Sequence, residues 1–312
     1  MTEKPTNNNY RFLDDNSQVS VVIPTYNRYN MLTRLLRSLE ETEYPVREII
    51  VVDDCSTDTS YEKLCFEFPY IKYIRHDHVM YVGESRNDGI RTALGEFIFM
   101  VDDDNTVEPD CITHLVEQIS KDTSIGVTAP VTCYYSNKNM VMYAGSLYSR
   151  YSRRTIFLYM DKPYSEVASK VFETDGFANS YMFRSSDVRK VYPIPKEILL
   201  GGEDGYIQFR IKKELGLKLV LVGRARVYHD IAPHQLFSRM TPFKLYYAMR
   251  GKITFEKRLD EPFKKIIFYI AIPVYVAFYL NWAISSKHKV KGIIAVMRGL
   301  KDGLLGIYVN RY

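Results

Sequence analysis

The chain has 312 residues, enough for one large domain with an appendage. Hydrophobic residues make up 46% and charged residues 25%, a balance that is typical of a packed globular protein and excludes a disordered one. The net charge of +5 is unevenly placed, because residues 233–312 contain 14 Lys and Arg against 4 Asp and Glu. This basic tail indicates an anionic partner. We expect an anionic membrane surface and no nucleic acid, because the tail is also strongly apolar.

The first 18 residues are polar and lack the apolar core of a secretory signal, so we expect a loose leader over residues 1–18. Apolar runs then alternate with stretches of helical spacing. The runs predict strands at residues 19–23, 48–52, 71–74, 96–101 and 126–130, and the stretches predict helices at 29–41, 61–68, 83–94 and 110–120. Strand–helix alternation with continuously apolar strands predicts an α/β fold with a doubly wound, mostly parallel sheet.

The pattern loosens after about residue 131. We expect strands and loops over residues 134–164, a helix at 204–215 and a strand at 217–222. The chain contains neither a G-x-G-x-x-G after the first strand nor a GxxxxGK[ST] segment, which disfavours dehydrogenase-type nucleotide binding and a P-loop. Its four cysteines form no CxxC pair, so we expect reduced thiols in a cytosolic compartment.

Residues 266–284 contain no charged side chain and approach the ~20 residues that a membrane-spanning helix needs. Lysines flank both ends of this segment, so a single span would place one basic end outside, against the positive-inside tendency. We therefore expect a re-entrant or in-plane helix at the cytoplasmic face of the membrane, with residues 292–309 as a second surface helix. A buried helix pair and a homodimer interface remain as alternatives.

The run Asp102, Asp103 and Asp104 directly follows the predicted strand 96–101. Ligands of open α/β sheets bind outside the carboxyl ends of the strands. Three adjacent carboxylates repel one another unless a cation offsets their charge, and Mn²⁺ or Mg²⁺ would bind them and bridge to a diphosphate. The run predicts a site for a divalent cation and phosphates. A solvated acidic turn is the alternative.

Two further polar groups lie next to predicted elements. Asp54 follows the second strand, where a carboxylate can accept a hydrogen bond from a base N–H or a ribose hydroxyl, although helix capping is the alternative. Arg86 lies in the helix before the aspartates and can reach a phosphate or a base, because a guanidinium is always charged and binds in a bidentate manner.

Glu203 and Asp204 stand just before an amphipathic helix, and Asp204 is a candidate base for deprotonating a hydroxyl, with helix capping as the other interpretation. His229 follows the apolar region LKLVLVGRARV and is a candidate partner for an aspartate in a metal site. A single histidine is, however, more often structural.

Taken together, these segments resemble the family 2 glycosyltransferases, which have the GT-A fold. The similar segments are VSVVIPTYNR (19–28), EIIVVDDCSTD (48–58), ESRNDGI (84–90), FIFMVDDDNTVEPD (97–110), GGEDGYIQFRIKKELG (201–216) and VYHD (227–230). The resemblance implies inverting transfer of a sugar from a nucleoside-diphosphate sugar to an acceptor hydroxyl. It also implies the GT-A fold for the domain that we expect over residues 19–232. The apolar segment and its basic flanks indicate a helical, membrane-associating extension over residues 233–312.

The resemblance assigns roles to individual residues. Asp204 is the catalytic base, with Glu203 beside it. The ligands of the cation, Mn²⁺ or Mg²⁺, are Asp104, Asp102 and His229. The nucleotide sugar falls to Pro24, Thr25, Tyr26, Asn27, Asp54, Arg86, Asn87, Asp102 and Asp103, with Asp103 on the ribose or sugar. The loop over the donor sugar and acceptor comprises Asp175, Gly176, Phe177, Ala178 and Asn179, together with Gly202.

There are departures from the family pattern. The Q/RxxRW motif is absent, since the only tryptophan is Trp282, and this disfavours a processive synthase. Residues 246–250 (YYAMR) resemble the tail of rhamnosyltransferase-like members, but Gly251 stands where asparagine is usual. The apolar tail indicates a lipid-linked saccharide or polyprenyl phosphate as acceptor. A nucleotidyltransferase, which would release pyrophosphate, and a non-catalytic glycan-binding module at the membrane are the alternatives.

Overall fold

The computed structural model of the chain describes residues 10–58, 61–149, 155–198, 200–230, 241–258 and 262–308. The helices in these ranges are α1 (Tyr29–Glu40), α2 (Tyr61–Glu67), α3 (Tyr81–Thr92), α4 (Cys111–Lys121), α5 (Ser185–Val191), α6 (Glu203–Glu214), α7 (Pro242–Arg258), α8 (Pro262–Ser285) and α9 (Lys289–Leu305). The strands are β1 (Val19–Thr25), β2 (Glu48–Asp53), β3 (Lys72–Arg75), β4 (Phe97–Val101), β5 (Asn105–Val107), β6 (Ile125–Tyr134), β7 (Asn137–Tyr143), β8 (Ser146–Tyr148), β9 (Thr155–Phe157), β10 (Val171–Thr174), β11 (Ser180–Arg184) and β12 (Lys218–His229).

One large mixed sheet organises the molecule, in the order β10-β12-β6-β11-β4-β1-β2-β3. Strands β3, β2, β1 and β4 run parallel, as the sequence predicts. Strand β11 then enters antiparallel between β4 and β6, and β12 runs parallel to β6. The short strand β5 pairs with the end of β12, so the chain directly after β4 crosses to the far half of the sheet.

The sheet is buried on both faces, and its strands contribute apolar side chains to one core on each side. Successive β1 residues alternate between two cores, with Val21 and Ile23 in one and Val22 in the other. Helices α1 and α4 pack their leucine and isoleucine side chains into the first core, and α3, α5 and α6 contribute to the second. This three-layer arrangement confirms the predicted α/β fold class.

Helices α7, α8 and α9 form a separate apolar cluster at the C-terminus. Helix α9 turns its small residues towards α7, and the closest approach is at Gly299, where an added Cβ would lie 2.5 Å from the Tyr246 carbonyl oxygen. The hydroxyl of Tyr246 donates to Asp302 Oδ2 at 2.7 Å, which ties α7 to α9. Within the described residues, α8 is the one helix long and apolar enough to cross a membrane (residues Lys265–Ser285).

Most predicted elements correspond to observed ones within a few residues, and three strands are longer than predicted, among them the strand predicted at 126–130, which is Ile125–Tyr134 in the structure. The first strand continues past the predicted end through Pro24 to Thr25, because Pro24 still pairs with Val52 in the parallel register. The predicted strand 217–222 is the first half of the longer β12, which continues to His229 after a register shift. The predicted boundary between residues 232 and 233 lies outside the described residues.

Candidate active site

The carboxyl ends of β1, β2 and β4 lie side by side because these strands are parallel neighbours. Asp54 follows β2, and the run Asp102–Asp104 follows β4. Strand β5 leads from this run to β12, where Asn105 faces His229 in the antiparallel register. The predicted site residues from four distant parts of the chain therefore meet at one edge of the sheet, where open α/β sheets bind ligands.

Asp103 and Asp104 are buried and lie close to the guanidinium of Arg28. Arg28 Nη1 donates to Asp103 Oδ1 at 3.0 Å and to Asp104 Oδ2 at 2.7 Å, and Thr25 Oγ1 donates to Asp103 Oδ2 at 2.7 Å. Burial raises the pKa of Asp103 to about 6 despite the charge of Arg28. Burial also acts to raise the pKa of Asp104, but His229 and Arg28 outweigh it and hold that pKa at about 2.

Asp104 and His229 are the pair that best fits a divalent cation. The Nε2 of His229 lies 3.0 Å from Asp104 Oδ1. This oxygen is buried, and the described residues offer it no hydrogen-bond donor of good geometry. Within the described part of the chain no three potential metal-ligating side chains cluster. Two protein ligands nevertheless suit Mg²⁺ or Mn²⁺ when substrate phosphates supply further oxygens.

Arg86 joins the aspartate run to the start of α6. Its Nη2 donates to Asp102 Oδ1 at 2.7 Å, and its Nη1 donates to Glu203 Oε1 at 3.0 Å and also contacts Asp204 Oδ1. The Arg86 side chain is only 2% exposed, so one buried cation stabilises three carboxylates. Asp102 therefore faces Arg86 in the structure, whereas Asp104 faces His229.

Asp204 has the environment of a general base. Tyr181, on β11, donates its hydroxyl to Asp204 Oδ1 at 2.6 Å. Burial raises the pKa of Asp204 to about 7, against the lowering charge of Arg86, and the neighbouring Glu203 and Asp102 raise it further. A carboxylate that titrates near neutral pH accepts a proton more readily than an ordinary aspartate and is still largely ionised above pH 7.

Two cavities meet at this cluster. The strand-end cavity, of about 640 Å³, is lined by seven predicted nucleotide-sugar residues: Pro24, Thr25, Tyr26, Asp54, Arg86, Asp102 and Asp103. The loop cavity, of about 620 Å³, is lined by Asp204 and five residues predicted for the loop over the acceptor: Asp175, Gly176, Phe177, Ala178 and Gly202. Gly201 and Ala248 line both cavities, so the base stands where the two adjoin.

Asp54 combines a place in the strand-end cavity with a structural role. Its carboxylate accepts the backbone N–H groups of Met80 and Tyr81 at 2.7 and 2.8 Å, which caps α3. His76 Nδ1 lies 2.8 Å from the same carboxylate, and His76 Nε2 lies 3.0 Å from Asp88 Oδ2. The capping alternative for Asp54 is therefore realised, and it does not remove the residue from the cavity wall.

Five predicted residues line neither cavity: Asp104 and His229 of the cation pair, and the three asparagines Asn27, Asn87 and Asn179. Asn87 exchanges two hydrogen bonds with the backbone of Ile194, at 2.9 and 2.8 Å, on the far side of α3. Asn27 accepts the backbone N–H of Thr57 at 2.7 Å. Asn179 has a positive φ of 54° and accepts the hydroxyl of Tyr143 at 3.2 Å. The structure gives these three asparagine side chains positioning contacts.

Several site residues lie outside the predicted set. Arg28 completes the PTYNR segment, so its place after the first strand was a signal that could have identified it. Tyr181 and His76 stand in segments without a motif, and only the fold brings them to Asp204 and Asp54. Tyr247 and Ala248, from α7, line the strand-end cavity, although they lie in the tail.

A family model decides the assignment of the chain. The model described as "Glycosyl transferase family 2" matches residues 20–178, more than half of the sequence. The chain belongs to glycosyl transferase family 2. This confirms the resemblance drawn from the motifs, and it confirms at the level of the family the prediction that the chain is a glycosyltransferase.

Among curated relatives of this family 2 chain, the putative colanic acid biosynthesis glycosyl transferase WcaA of Escherichia coli (strain K12) is 35% identical over 103 residues, which cover 31% of the chain and 36% of WcaA. The chain spans only 31% to 41% of the lengths of the first three relatives that it matches. The rhamnosyltransferase-like subgroup receives no confirmation from these relatives.

Two solved structures share the fold over nearly the whole chain. Residues 1–349 of S. aureus TarS, in complex with UDP-GlcNAc, match with a TM-score of 0.53 at 16% identity, covering 94% of the chain and 93% of the TarS chain. The mannosyltransferase PcManGT from Pyrobaculum calidifontis, in complex with GDP-Man and Mn²⁺, matches with a TM-score of 0.56 at 15% identity, covering 93% of the chain and 89% of that protein. At this identity the likeness shows the fold alone, and it confirms the predicted GT-A type.

Proposed function

We propose that the chain is an inverting glycosyltransferase that transfers a sugar from a nucleoside-diphosphate sugar to an acceptor hydroxyl. The single observation that supports this most is Asp204, a carboxylate with a pKa of about 7 at the junction of two cavities. The strand-end cavity, which Asp102 and Asp103 line, takes the donor, and the loop cavity takes the acceptor. One base between two substrates suits a single displacement.

The reaction balances with this chain's own residues. Asp204 takes the proton of the acceptor hydroxyl, whose oxygen forms a bond to the anomeric carbon. The bond between that carbon and the diphosphate oxygen breaks, and the nucleoside diphosphate leaves with both electrons. Arg86 holds Asp204 and Asp102 in fixed positions, and Tyr181 orients the carboxylate by its hydrogen bond. Because attack and departure occur on opposite sides of the carbon, the configuration inverts.

A divalent cation, Mn²⁺ or Mg²⁺, fits Asp104 and His229 together with the donor's diphosphate. When bound, it would supply charge neutralisation for the leaving diphosphate. The buried Asp104 Oδ1 without a good hydrogen-bond donor supports this assignment. The Mn²⁺ named with PcManGT, which is similar in fold, is consistent with it.

We place the nucleoside in the strand-end cavity next to Tyr26, whose side chain is 47% exposed and available for stacking. Asp54 lines the same cavity from the end of β2. The acceptor lies in the loop cavity, which has aromatic walls from Phe177, Phe255 and Tyr279. Aromatic side chains suit both sugar faces and the apolar part of a lipid carrier.

The acceptor in this proposal is a hydroxyl of a lipid-linked saccharide at the cytoplasmic face of the membrane; a polyprenyl phosphate would instead attack through a phosphate oxygen. Helix α8 exposes Ile270 and Val274, with 75% and 61% of their surface accessible, and it also contributes Tyr279 to the loop cavity. An in-plane α8, with Lys287 and Lys289 near anionic headgroups, brings the cavity to the surface where such acceptors lie. Binding to anionic but not to neutral liposomes tests the membrane part of the proposal.

The deciding experiment offers the purified chain a panel of UDP-, GDP- and dTDP-sugars with Mn²⁺ or Mg²⁺ and measures the released nucleotide. Release of a nucleoside diphosphate from at least one donor is expected, and Asp204→Asn lowers its rate by about 10²–10⁴-fold while donor binding persists. Release of pyrophosphate from a nucleoside triphosphate and a sugar 1-phosphate, offered in a parallel assay, would instead identify a nucleotidyltransferase. Binding without turnover of any donor would favour a glycan-binding module.

A further inference from the structure

Arg28 occupies an unusual place between the two most buried aspartates of the run. Its Nη1 contacts Asp103 Oδ1 and Asp104 Oδ2 at 3.0 and 2.7 Å. The Arg28 side chain is 43% exposed, whereas those of Asp103 and Asp104 are 4% and 10% exposed. A half-exposed cation thus neutralises two buried carboxylates, and solvent on its other side leaves it room to move away.

Both oxygens of Asp104 are in contact with a cationic or polarising group. Oδ2 accepts from Arg28, and Oδ1 lies 3.0 Å from His229 Nε2. A divalent cation bound between Asp104 Oδ1 and His229 would therefore lie on the same carboxylate as the guanidinium of Arg28. Two cationic groups on the two oxygens of one buried carboxylate repel each other, so the two occupants compete.

We propose that Arg28 holds the cation site in the nucleotide-free protein and transfers to the donor's diphosphate when the divalent cation binds. The inference rests on the proposed function and adds a coupling between metal and nucleotide. Arg28 lines the strand-end cavity, and its planar guanidinium suits phosphate oxygens as well as carboxylates. The diphosphate brings the negative charge that allows the cation and Arg28 to remain together.

This arrangement makes cation affinity depend on the nucleotide. Without nucleotide, Arg28 opposes the cation at Asp104; with nucleotide, Arg28 stabilises the ternary complex. Linkage is reciprocal, so the cation strengthens nucleotide binding by the same factor. The free protein would bind Mn²⁺ weakly and would avoid holding it without a donor.

The test is a titration of the full chain with Mn²⁺, followed through the electron paramagnetic resonance signal of free Mn²⁺, without nucleotide and then with UDP or GDP. Arg28→Gln is compared with the wild type and with Arg37→Gln, which removes another arginine of the same region that pairs with Glu67 at 2.6 Å. Without nucleotide, Arg28→Gln is expected to bind Mn²⁺ about tenfold more tightly, since one competing charge-assisted hydrogen bond is lost. With nucleotide and Mn²⁺, it is expected to bind the nucleotide about tenfold more weakly.

Unchanged or weaker Mn²⁺ binding by nucleotide-free Arg28→Gln would overturn the inference. An equal gain in Mn²⁺ affinity in Arg28→Gln and Arg37→Gln would also overturn it, and so would the lack of Mn²⁺ binding by all three proteins. Arg28→Lys covers the case in which the glutamine variant does not fold. Lysine keeps the positive charge but lacks the planar guanidinium, so this variant is expected to show a smaller gain in Mn²⁺ affinity. Because the metal titration needs no turnover, failure of sugar transfer would refute the proposed function separately.

Discussion

Arg86 gives the most demanding prediction, because one buried guanidinium stabilises Asp102, Glu203 and Asp204. In Arg86→Gln these three carboxylates lose their cation while staying close together. Removing one partner of a buried ion pair costs about 3–5 kcal/mol in free energy of unfolding. For a chain of this size that corresponds to a fall in Tm of roughly 6–15 °C.

The assay is urea unfolding of the wild type, Arg86→Gln and the control Arg37→Gln, whose exposed pair with Glu67 is worth at most about 1 kcal/mol. Adding Asp204→Asn to Arg86→Gln removes one of the unpaired charges and is expected to recover part of the loss. Losing Arg86 also raises the pKa of Asp204 above its value of about 7, so the cost is smaller at pH 6 than at pH 8. A loss below about 1 kcal/mol, or no recovery in the double variant, would refute the reasoning.

Three further predictions concern single sites. Wild-type kcat is expected to rise with pH through about 7, where Asp204 ionises. Asp204→Asn should lower kcat by about 10²–10⁴-fold and remove this pH dependence. An unchanged pH profile in the variant would exclude Asp204 as the base. Gly251→Ala is expected to destabilise the chain by about 1–3 kcal/mol in thermal unfolding, because its Cβ would lie 2.2 Å from the Gly201 carbonyl oxygen. The control Gly205→Ala has open space around its Cβ and should leave the free energy of unfolding unchanged. Burial lowers the pKa of His76, but its hydrogen bonds with Asp54 and Asp88 outweigh burial and raise that pKa overall. The stabilisation from protonated His76 is therefore present below pH 6.5 and is lost at higher pH. In urea unfolding, His76→Gln should destabilise the chain more at pH 6 than at pH 9.

The parallel half of the sheet was predictable from the sequence because burial on both faces leaves continuous apolar runs. The run FIFMV of β4 is buried throughout, and the aspartates directly after it mark the carboxyl edge of the sheet. Since parallel strands end at the same edge and β2 and β4 both pair with β1, Asp54 and Asp102 lie at one edge of the sheet, on either side of the end of β1. Their strand-end placement therefore follows from local pattern and one topological rule.

The other half was not predictable in the same way, because its pairings join distant segments. Strand β11 (SYMFR) shows no simple alternation, yet it enters the sheet between β4 and β6 and brings Tyr181 to Asp204. Similarly, His76 reaches Asp54 and Asp88 only through the packing of β2 against β3 and α3. No motif marks these residues, since a tyrosine or histidine acquires its role from whatever the fold places beside it.

The C-terminal tail shows how a segment with the composition of an anchor also shapes the site. Gly251 on α7 packs directly on the carbonyl of Gly201, and Gly201 and Ala248 form walls of both cavities. The hydrogen bond from Tyr246 to Asp302 then fixes α7 to α9, which packs beside the apolar α8. A displacement of these helices at a membrane would move the walls on either side of Asp204. Gly251 thus permits the close contact that holds the tail and the segment next to Asp204 in one arrangement.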